Sequence, residues 1–233
     1  RLTTNGAHSA SITGVGFSNN LNVFAAGSFP TSRAGMPSAI TIGTEAGRSA
    51  QFSSEQGMMA GQIADKFNTE IEKFGISAFA SNKLELLNIA NGRIQFDLFG
   101  KNSEGSSIDI TISNLDTKQL VKEINSQFEE TGINASVSGA GAIVLFRPDG
   151  NDISLKNLSL VSNISARQLD KFGESIQTSL TTVSNGQHIT SGGQVELLSP
   201  ASFNLIYNGV NSDSALSTFD DGFIKKSNDL QDN

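Results

Sequence analysis

The sequence contains no cysteine and no tryptophan, and it has one tyrosine, two histidines and four prolines among its 233 residues. Without cysteine the chain can form no disulfide, no thiolate zinc site and no thiol nucleophile. Two histidines cannot make a three-histidine metal site. No apolar run approaches about 18 residues, so we expect no membrane-spanning helix. The first residues carry no basic start followed by an apolar stretch, so we expect no signal peptide in this sequence.

Positive charge is also scarce, since 16 lysines and arginines oppose 23 acidic residues and the formal net charge is −7. Proteins that bind nucleic acid usually carry a basic patch and stacking aromatic side chains, so this composition argues against nucleic acid as a partner. It also argues against binding to anionic membrane surfaces. An acidic polysaccharide would need a local basic cluster, and the only adjacent basic pair is Lys225-Lys226.

Fifteen phenylalanines and many isoleucines and leucines fall at ordered spacings, which is typical of a folded chain. Residues 1–35 contain repeated glycines and are predicted to be extended or irregular. Residues 38–42 alternate and predict a strand, and the Gly/Ser-rich residues 43–61 predict a loop. An apolar stripe with spacings of three and four then predicts a helix over 62–74, ended by Gly75. A strand is predicted at 76–80, with β-like character continuing to 87.

The stretch 92–155 has the clearest pattern. Residues 93–99 and 107–112 alternate around a turn-like segment and predict a hairpin. Asp116 is a predicted helix N-cap, with Gln119 in capping-box position. Further elements are predicted on the same grounds: a helical stripe at Leu120, Ile124 and Phe128, a stop at Gly132, strands at 133–137 and 142–146, a turn at 148–151, and a strand from 153.

The two helical segments are related by a constant shift of 57 residues. The shared pattern is an amphipathic helix, a glycine stop and a strand, which predicts two related α+β units. Two copies are too few for a solenoid. The matched positions are Ile63 with Leu120, Phe67 with Ile124, Asn68 with Asn125, Ile71 with Phe128, Glu72 with Glu129, Gly75 with Gly132, Ile76 with Ile133 and Ala78 with Ala135.

Beyond residue 160 the chain is predicted to be rich in strands. Residues 167–172 predict a short helix ended by Gly173. Residues 175–183 predict a polar alternating strand, followed by an Asn185-Gly186 turn. Two more strands are predicted at 194–198 and 202–207, separated by a proline.

One run of residues resembles the hook "IN" motif of bacterial flagellins and hook-associated proteins. The run consists of a helix holding the pair Ile124-Asn125, a Thr131-Gly132-Ile133 entry to a strand, an apolar strand at 143–145, and an acidic-Gly turn at 149–153. The hairpin beginning at 94–98 is similar to flagellin outer domains, as is the strand at 193–197. The resemblance covers about 60 residues well, and the 57-residue shift extends it to the first unit, where Phe67-Asn68 stands in for Ile-Asn.

Flagellins have long heptad-like helices at both ends, and nothing from residue 1 to 35 or from 211 to 233 shows that pattern. The resemblance therefore implies the variable, surface-exposed middle of such a protein, with termini close together and leading back to a filament core. The predicted fold class is α+β, with small antiparallel sheets each carrying an amphipathic helix. Three segments are predicted: 1–88 as an inner half, 89–165 as the compact hook-IN-like unit, and 166–233 as a β-rich return toward the core.

No constellation of residues predicts catalysis, a cofactor site or a metal site, so we expect the protein not to be an enzyme. His8 and His188 lack acidic neighbours and are expected in solvated loops. The cluster 149–152 lacks the ligand spacing of a calcium loop and is explained by turn chemistry. The adjacent pairs Glu129-Glu130 and Asp220-Asp221 point apart on a helix or strand, so neither forms an acid–base dyad.

The expected function is structural: the outer domain of a bacterial flagellin-type motility filament, secreted, extracellular and displayed on the flagellum or cell surface. The expected partners are identical subunits, contacted through terminal helices that this sequence lacks, with no nucleic acid and no membrane insertion. Surface glycans are a further partner, because the resemblance makes exposed Ser and Thr in 178–184 candidate O-glycan sites. Two alternatives stay open: a hook-junction or filament-cap protein, and a glycan-binding adhesin, which Tyr207 as the single tyrosine makes less convincing.

Overall fold

The computed structural model describes residues 8–12, 21–24, 39–44, 49–53, 58–176, 179–199 and 203–207. Within these ranges the chain forms strands joined by short turns, with three α-helices between them. The helices are α1 (Ala60–Ile71), α2 (Lys118–Ser126) and α3 (Phe128–Thr131). The strands are β1 (His8–Ile12), β2 (Leu21–Phe24), β3 (Ala39–Thr44), β4 (Ser49–Ser53), β5 (Ser77–Leu87), β6 (Gly92–Phe99), β7 (Ser106–Ile112), β8 (Asn134–Val137), β9 (Ile143–Arg147), β10 (Ile153–Leu160), β11 (Ile164–Leu169), β12 (Thr181–Val183), β13 (His188–Ser191), β14 (Gln194–Ser199) and β15 (Phe203–Tyr207).

The chain divides into two compact units. Unit 1 comprises residues 1–18, 32–80 and 194–233, and unit 2 comprises residues 19–31 and 81–193. The three predicted segments have other boundaries, and that division stays a prediction. The expected proximity of the chain termini concerns residues outside the described ranges.

Unit 1 contains two groups of antiparallel strands and one long helix. Strand β1 pairs with β14, and β3 lies between β15 and β4. Helix α1 contacts both β4 and β14. Its apolar stripe is buried because residues three and four apart lie on the same face. The buried side chains of this core are Phe52, Ala60, Ile63, Ala64, Phe67, Ile71, Ile76, Ala78, Val195 and Leu197.

The structure confirms the predicted helix and the strand at 38–42, which appears as β3. Helix α1 is followed by a 3₁₀ turn at Glu72–Phe74, and Gly75 then adopts a φ of +74°, the left-handed conformation that glycine takes without strain. The prediction of a loop over 43–61 is wrong in one part, since β4 lies within it. The polar sequence of β4 has little strand signal of its own, and pairing with β3 determines its conformation.

Unit 2 contains strands of two antiparallel sheets. The first has the order β2-β13-β10-β6-β7, and in the second the strands pair as β12-β11-β5-β9-β8. The hairpin of β6 and β7 has the predicted alternation: Ile94, Phe96 and Leu98 are buried, whereas Arg93 and Gln95 are not. This mixture of antiparallel sheets and few helices agrees with the predicted α+β class.

One core fills unit 2. Helix α2 contacts β7 of the first sheet and β8 of the second, and its Leu120 and Ile124 are fully buried. The inward residues of both sheets complete the cluster, which includes Leu84, Leu86, Ile108, Ile112, Ile143, Leu145, Ile153, Leu155, Ile164, Ala166, Val183 and Ile189. Burial of this apolar surface is the main stabilising contribution to the unit.

Two predictions about α2 are wrong. Phe128 was expected to continue the buried stripe, but its side chain is 36% exposed because α2 ends at Ser126 and the chain turns at Gln127 before α3. The capping box is not formed, and the N-cap residue is Thr117 and not Asp116. The Asp116 carboxylate accepts the backbone N–H of Lys118 at 3.0 Å, but the N–H of Asp116 donates to the Ser113 carbonyl, leaving no N–H for Gln119 to bind.

The predicted helix over 167–172 is also wrong, because β11 covers Ile164–Leu169. This stretch contains good helix formers, but pairing with β5 and burial of alternate side chains outweigh that local preference. The Asn185-Gly186 turn is confirmed, with Gly186 at a φ of +78°. The strands on its two sides do not pair with each other, since β12 pairs with β11 and β13 pairs with β10 and β2.

Candidate functional site

Titratable side chains are dispersed in the structure. Among the described ranges, no three side chains of histidine, aspartate or glutamate lie close enough together to hold a metal ion. The described helices are all too short or too polar to cross a membrane. The acidic pair Asp220-Asp221 and the basic pair Lys225-Lys226 lie outside the described residues.

The turn after β9 behaves as predicted. Gly150 has a φ of +70°, and its N–H donates to the Arg147 carbonyl. The Asp149 carboxylate accepts the N–H of Asn151 at 3.0 Å and pairs with the Arg147 guanidinium at 2.8 Å. These bonds use the oxygens of Asp149 to close the turn, which supports turn chemistry as the explanation of this acidic cluster.

One polar arrangement in unit 2 joins α2 to β8 through a single side chain. Asn125 donates from Nδ2 to the Ala135 carbonyl at 3.0 Å and accepts the Ala135 N–H on Oδ1 at 2.6 Å. A side-chain amide carries the same donor and acceptor as a backbone peptide. Asn125 therefore binds Ala135 as the backbone of a neighbouring strand would. We call this arrangement the Asn125 clamp.

The Asn125 clamp acts on the edge of a sheet. Among the described strands, β8 pairs with β9 alone, on one side. An unpaired strand edge exposes backbone N–H and C=O groups that can pair with another chain. Because Asn125 binds both groups of Ala135, it blocks the open edge of this four-residue strand at its second position.

An equivalent clamp occurs 57 residues earlier, in unit 1. Asn68 on α1 donates to the Ala78 carbonyl at 2.8 Å and accepts the Ala78 N–H at 2.6 Å. In both copies the asparagine and alanine are ten residues apart. We call this second arrangement the Asn68 clamp. The structure thus confirms the helix–Gly–strand pattern at both predicted positions, and it adds a shared hydrogen-bond geometry that the sequence does not display.

The residues around each clamp explain why the sequence folds this way. The residue before each asparagine is buried, Phe67 in unit 1 and Ile124 in unit 2, which fixes the helix face. Glycine with a positive φ then reverses the chain, at +74° for Gly75 and +69° for Gly132. The next residue, Ile76 or Ile133, is fully buried and anchors the start of the strand. The asparagine then lies opposite the second strand residue.

A second polar cluster, which the sequence did not predict, links the two sheets of unit 2. Asn82 on β5 donates to the carbonyls of Ser191 and Asn151, at 2.8 and 2.9 Å, and accepts the Ser191 hydroxyl at 2.8 Å. Asn82 and Ser191 are fully buried. The two residues are 109 positions apart in the chain, and no local pattern could have indicated their contact.

The expectation of solvated loop histidines is wrong for His188. This residue lies in β13, its side chain is 3% exposed, and its Nδ1 accepts the N–H of Asn157 at 2.9 Å. Asn157 has a φ of +55° and occupies an irregularity in the pairing of β10 with β6. His8 lies in β1, and the structure does not describe its side chain.

Burial lowers the pKa of His188 below 6.5, and the charge of Lys156 lowers it further. The neutral ring is favoured in the folded state, since only a neutral Nδ1 can accept the Asn157 N–H. The Asn157 side chain in turn donates to the Asp97 carboxylate at 2.7 Å. The unfolded chain therefore binds a proton more readily than the folded chain as the pH falls below 6.5.

We expect unit 2 to lose stability as the pH is lowered from 7.5 through 6.5 toward the depressed folded-state pKa of His188. Urea unfolding followed by far-ultraviolet circular dichroism at about pH 7.5 and about pH 5.5 measures this loss while most carboxylates stay ionised. His188→Asn, whose amide oxygen can accept the Asn157 N–H, should reduce the difference between the two midpoints. His8→Asn is the matched control and should keep it. An unchanged difference in His188→Asn would contradict the assignment.

No protein-family model matches the chain. None of the curated proteins matches it either. Among solved structures, the chain is similar to the D2-D3 domains of the flagellar cap protein FliD from Escherichia coli. That likeness has 11% sequence identity and a TM-score of 0.26, and it covers 83% of this chain and 99% of the other. A TM-score this low does not establish a common fold.

Proposed function

We propose that this chain is the surface-exposed outer domain of a flagellin-type filament subunit, with a structural and not a catalytic role. The observation that carries the proposal is the pair Ile124-Asn125, the residues on which the resemblance to the hook "IN" motif rests. Ile124 is buried in the core and Asn125 forms the clamp on β8. The motif residues thus have a defined structural task in this chain, and Phe67-Asn68 performs the same task in unit 1.

The surface of unit 2 suits display among many crowded copies. The clamp blocks one strand edge, which removes a template for pairing between copies. The outward face of the β6–β7 hairpin is polar and includes the exposed ion pair of Arg93 with Asp109. A net charge of −7 keeps free copies apart by mutual repulsion.

The proposed location is extracellular, on a bacterial flagellum. The proposed partners are identical subunits, joined through helices outside this sequence. Surface glycans attached to exposed Ser and Thr are a further proposed partner. Neither nucleic acid nor membrane insertion is part of the proposal.

Immunogold electron microscopy on intact cells, with antibody raised against this chain, tests the proposal. We expect gold label along the whole length of flagellar filaments. Cells with the gene deleted provide the control for antibody specificity. Label confined to the filament tip or to the hook junction would replace the proposal with a cap or junction protein. Label on the cell body beside bare filaments would overturn the flagellar assignment, and binding to a glycan array would then test an adhesin.

A further inference from the structure

Unit 2 is connected to the rest of the chain at four points, after residues 18, 31, 80 and 193. Three of these connections lead within three residues into a described strand: β2 begins at Leu21, β5 continues through Asn82, and β13 ends at Ser191. Leu21 and Ser191 are paired across β2 and β13. Any motion that reaches unit 2 through these connections therefore acts first on these three strands.

We call the parts of the three strands nearest to the connections the junction segments, which are residues 21–24, 81–84 and 188–191. Backbone pairing by itself holds such segments weakly, because the ends of elements open locally at a free-energy cost far below that of global unfolding. Apolar packing between two sheets is non-directional, so it does not tie one strand to a particular strand of the other sheet. With these contacts alone, the junction segments would open one at a time.

Buried hydrogen bonds tie two of the junction segments together across the two sheets. Asn82, in the second sheet, bonds to both the carbonyl and the hydroxyl of Ser191, in the first sheet, at 2.8 Å each. Its amide also donates to the Asn151 carbonyl, in the turn before β10, at 2.9 Å. Gln168, a fully buried residue of the second sheet, donates to the Gly192 carbonyl next to Ser191.

The bonds between Asn82 and Ser191 make the opening of one segment costly for the other. Asn82 uses its amide group as a donor and its amide oxygen as an acceptor, and both residues are fully buried. A buried polar group that loses its partner carries its desolvation cost. Opening β5 at Asn82 therefore leaves Ser191 without partners, and opening β13 at Ser191 does the same to Asn82. Leu21 would lose its paired residue in the same event.

We propose that the hydrogen bonds between Asn82 and Ser191 couple the three junction segments, so that they open together as one cooperative unit. Without these bonds each segment opens separately and at a lower free-energy cost. The connections of unit 2 to the rest of the chain are thereby held as one body. The inference concerns the interior of unit 2 and does not depend on the proposed filament function.

Hydrogen exchange of the whole chain at about pH 7, resolved to single residues by mass spectrometry, tests the proposal because exchange rates report local opening. In the parent chain, we expect the most protected amides of the three junction segments to have similar opening free energies. Ser191→Ala removes the hydroxyl bond to Asn82 and should speed exchange in all three segments by about threefold to tenfold. Asn82→Ala removes all the bonds of this side chain and should speed it by about tenfold or more.

Thr190→Val is the matched control. Thr190 is the neighbour of Ser191 on β13, and its hydroxyl lies 2.9 Å from that of Ser154 on β10, within the same sheet. Loss of this contact should speed exchange in β13 and β10 and leave residues 81–84 unchanged. Ser191→Ala and Thr190→Val each remove a single hydroxyl, so both are expected to fold even if Asn82→Ala does not, and circular dichroism verifies this.

Three results would overturn the proposal: unrelated opening free energies of the junction segments in the parent, an effect of Ser191→Ala that leaves residues 81–84 unchanged as the control does, or an equal increase throughout unit 2. The last result would show general destabilisation without coupling. The microscopy of the proposed function is independent of this outcome. Filament label without coupled exchange overturns the coupling alone, whereas coupled exchange without filament label overturns the filament function and leaves the coupling standing.

Discussion

Gly100→Ala should lower the free energy of unfolding by about 3 kcal/mol, at the upper end of the cost of overpacking. A Cβ at this position would lie 1.9 Å from the Thr131 carbonyl oxygen, far inside van der Waals contact, and 3.0 Å from Ile133 Cδ1. The obstacle is a backbone atom, so a change of side-chain rotamer cannot relieve the clash. Either the turn after β6 or the end of α3 must move.

Neither segment is free to move without losing hydrogen bonds. The N–H of Lys101 donates to the Thr131 carbonyl at 2.9 Å, and the N–H of Gly100 donates to the Asn102 side chain at 2.7 Å. Thr131 is fully buried and its hydroxyl binds the Gln127 carbonyl at 2.9 Å. The decrease in the free energy of unfolding therefore includes the loss of at least one of these hydrogen bonds.

Urea unfolding followed by far-ultraviolet circular dichroism measures the effect, because the chain has no tryptophan to serve as a fluorescence probe. Gly139→Ala is the matched control. A Cβ at Gly139 has no neighbour within 4 Å, and this glycine is not among the residues with positive φ. The control should stay within about 0.5 kcal/mol of the parent. If the two variants were equally stable, the close approach between position 100 and the Thr131 carbonyl oxygen would be contradicted.

Asn125→Ala should lower the free energy of unfolding of unit 2 by about 2 kcal/mol. The substitution removes two hydrogen bonds and leaves the N–H and C=O of Ala135 without their partner. Ala135 is buried, so water reaches these groups poorly and each carries part of its desolvation cost. Asn68→Ala should have an effect of similar size in unit 1, because the two clamps have the same geometry.

Asn125→Asp separates the two bonds of the clamp. An ionised carboxylate still accepts the Ala135 N–H, but it cannot donate to the Ala135 carbonyl and places an oxygen against it. We expect this variant to be destabilised at pH 7 and to regain stability relative to the parent near pH 4, where the carboxyl becomes a donor. Asn134→Ala, at a neighbouring exposed position, is the control and should have little effect. If Asn125→Ala matched that control, the clamp would contribute nothing to stability.

The two clamps show which features the sequence alone could predict and which it could not. Local patterns in the sequence predicted the 57-residue shift, the apolar helical stripes and the glycine stops. Helix periodicity and glycine at helix ends both produce regular residue spacings. The hydrogen bonds from Asn68 and Asn125 were not visible. An asparagine on a helix has many partners within reach, and only the angle between the helix and the following strand places Ala78 or Ala135 opposite it.

The errors have a common physical origin. The stretch 167–172 contains good helix formers, but β5 offers a partner strand and the core requires alternate burial there. Phe128 continues a helical stripe in sequence, but the helix axis changes at Gln127. His188 has no marked local context, and the pairing of β13 with β10 and β2 encloses it. In each case a contact distant in sequence outweighed a local preference.

The sequence by itself determined the class of this protein: an acidic, cysteine-free α+β chain with two helix–Gly–strand units and no constellation that predicts catalysis. Composition alone determines the net charge and the lack of cysteine, and the spacing of apolar residues close together in the sequence determines the helix and strand patterns. Only the tertiary structure decided which strands pair, which edge Asn125 blocks and how Asn82 links two sheets. These depend on contacts between residues far apart in the chain, such as Asn82 and Ser191, which are 109 positions apart, and no local pattern encodes them.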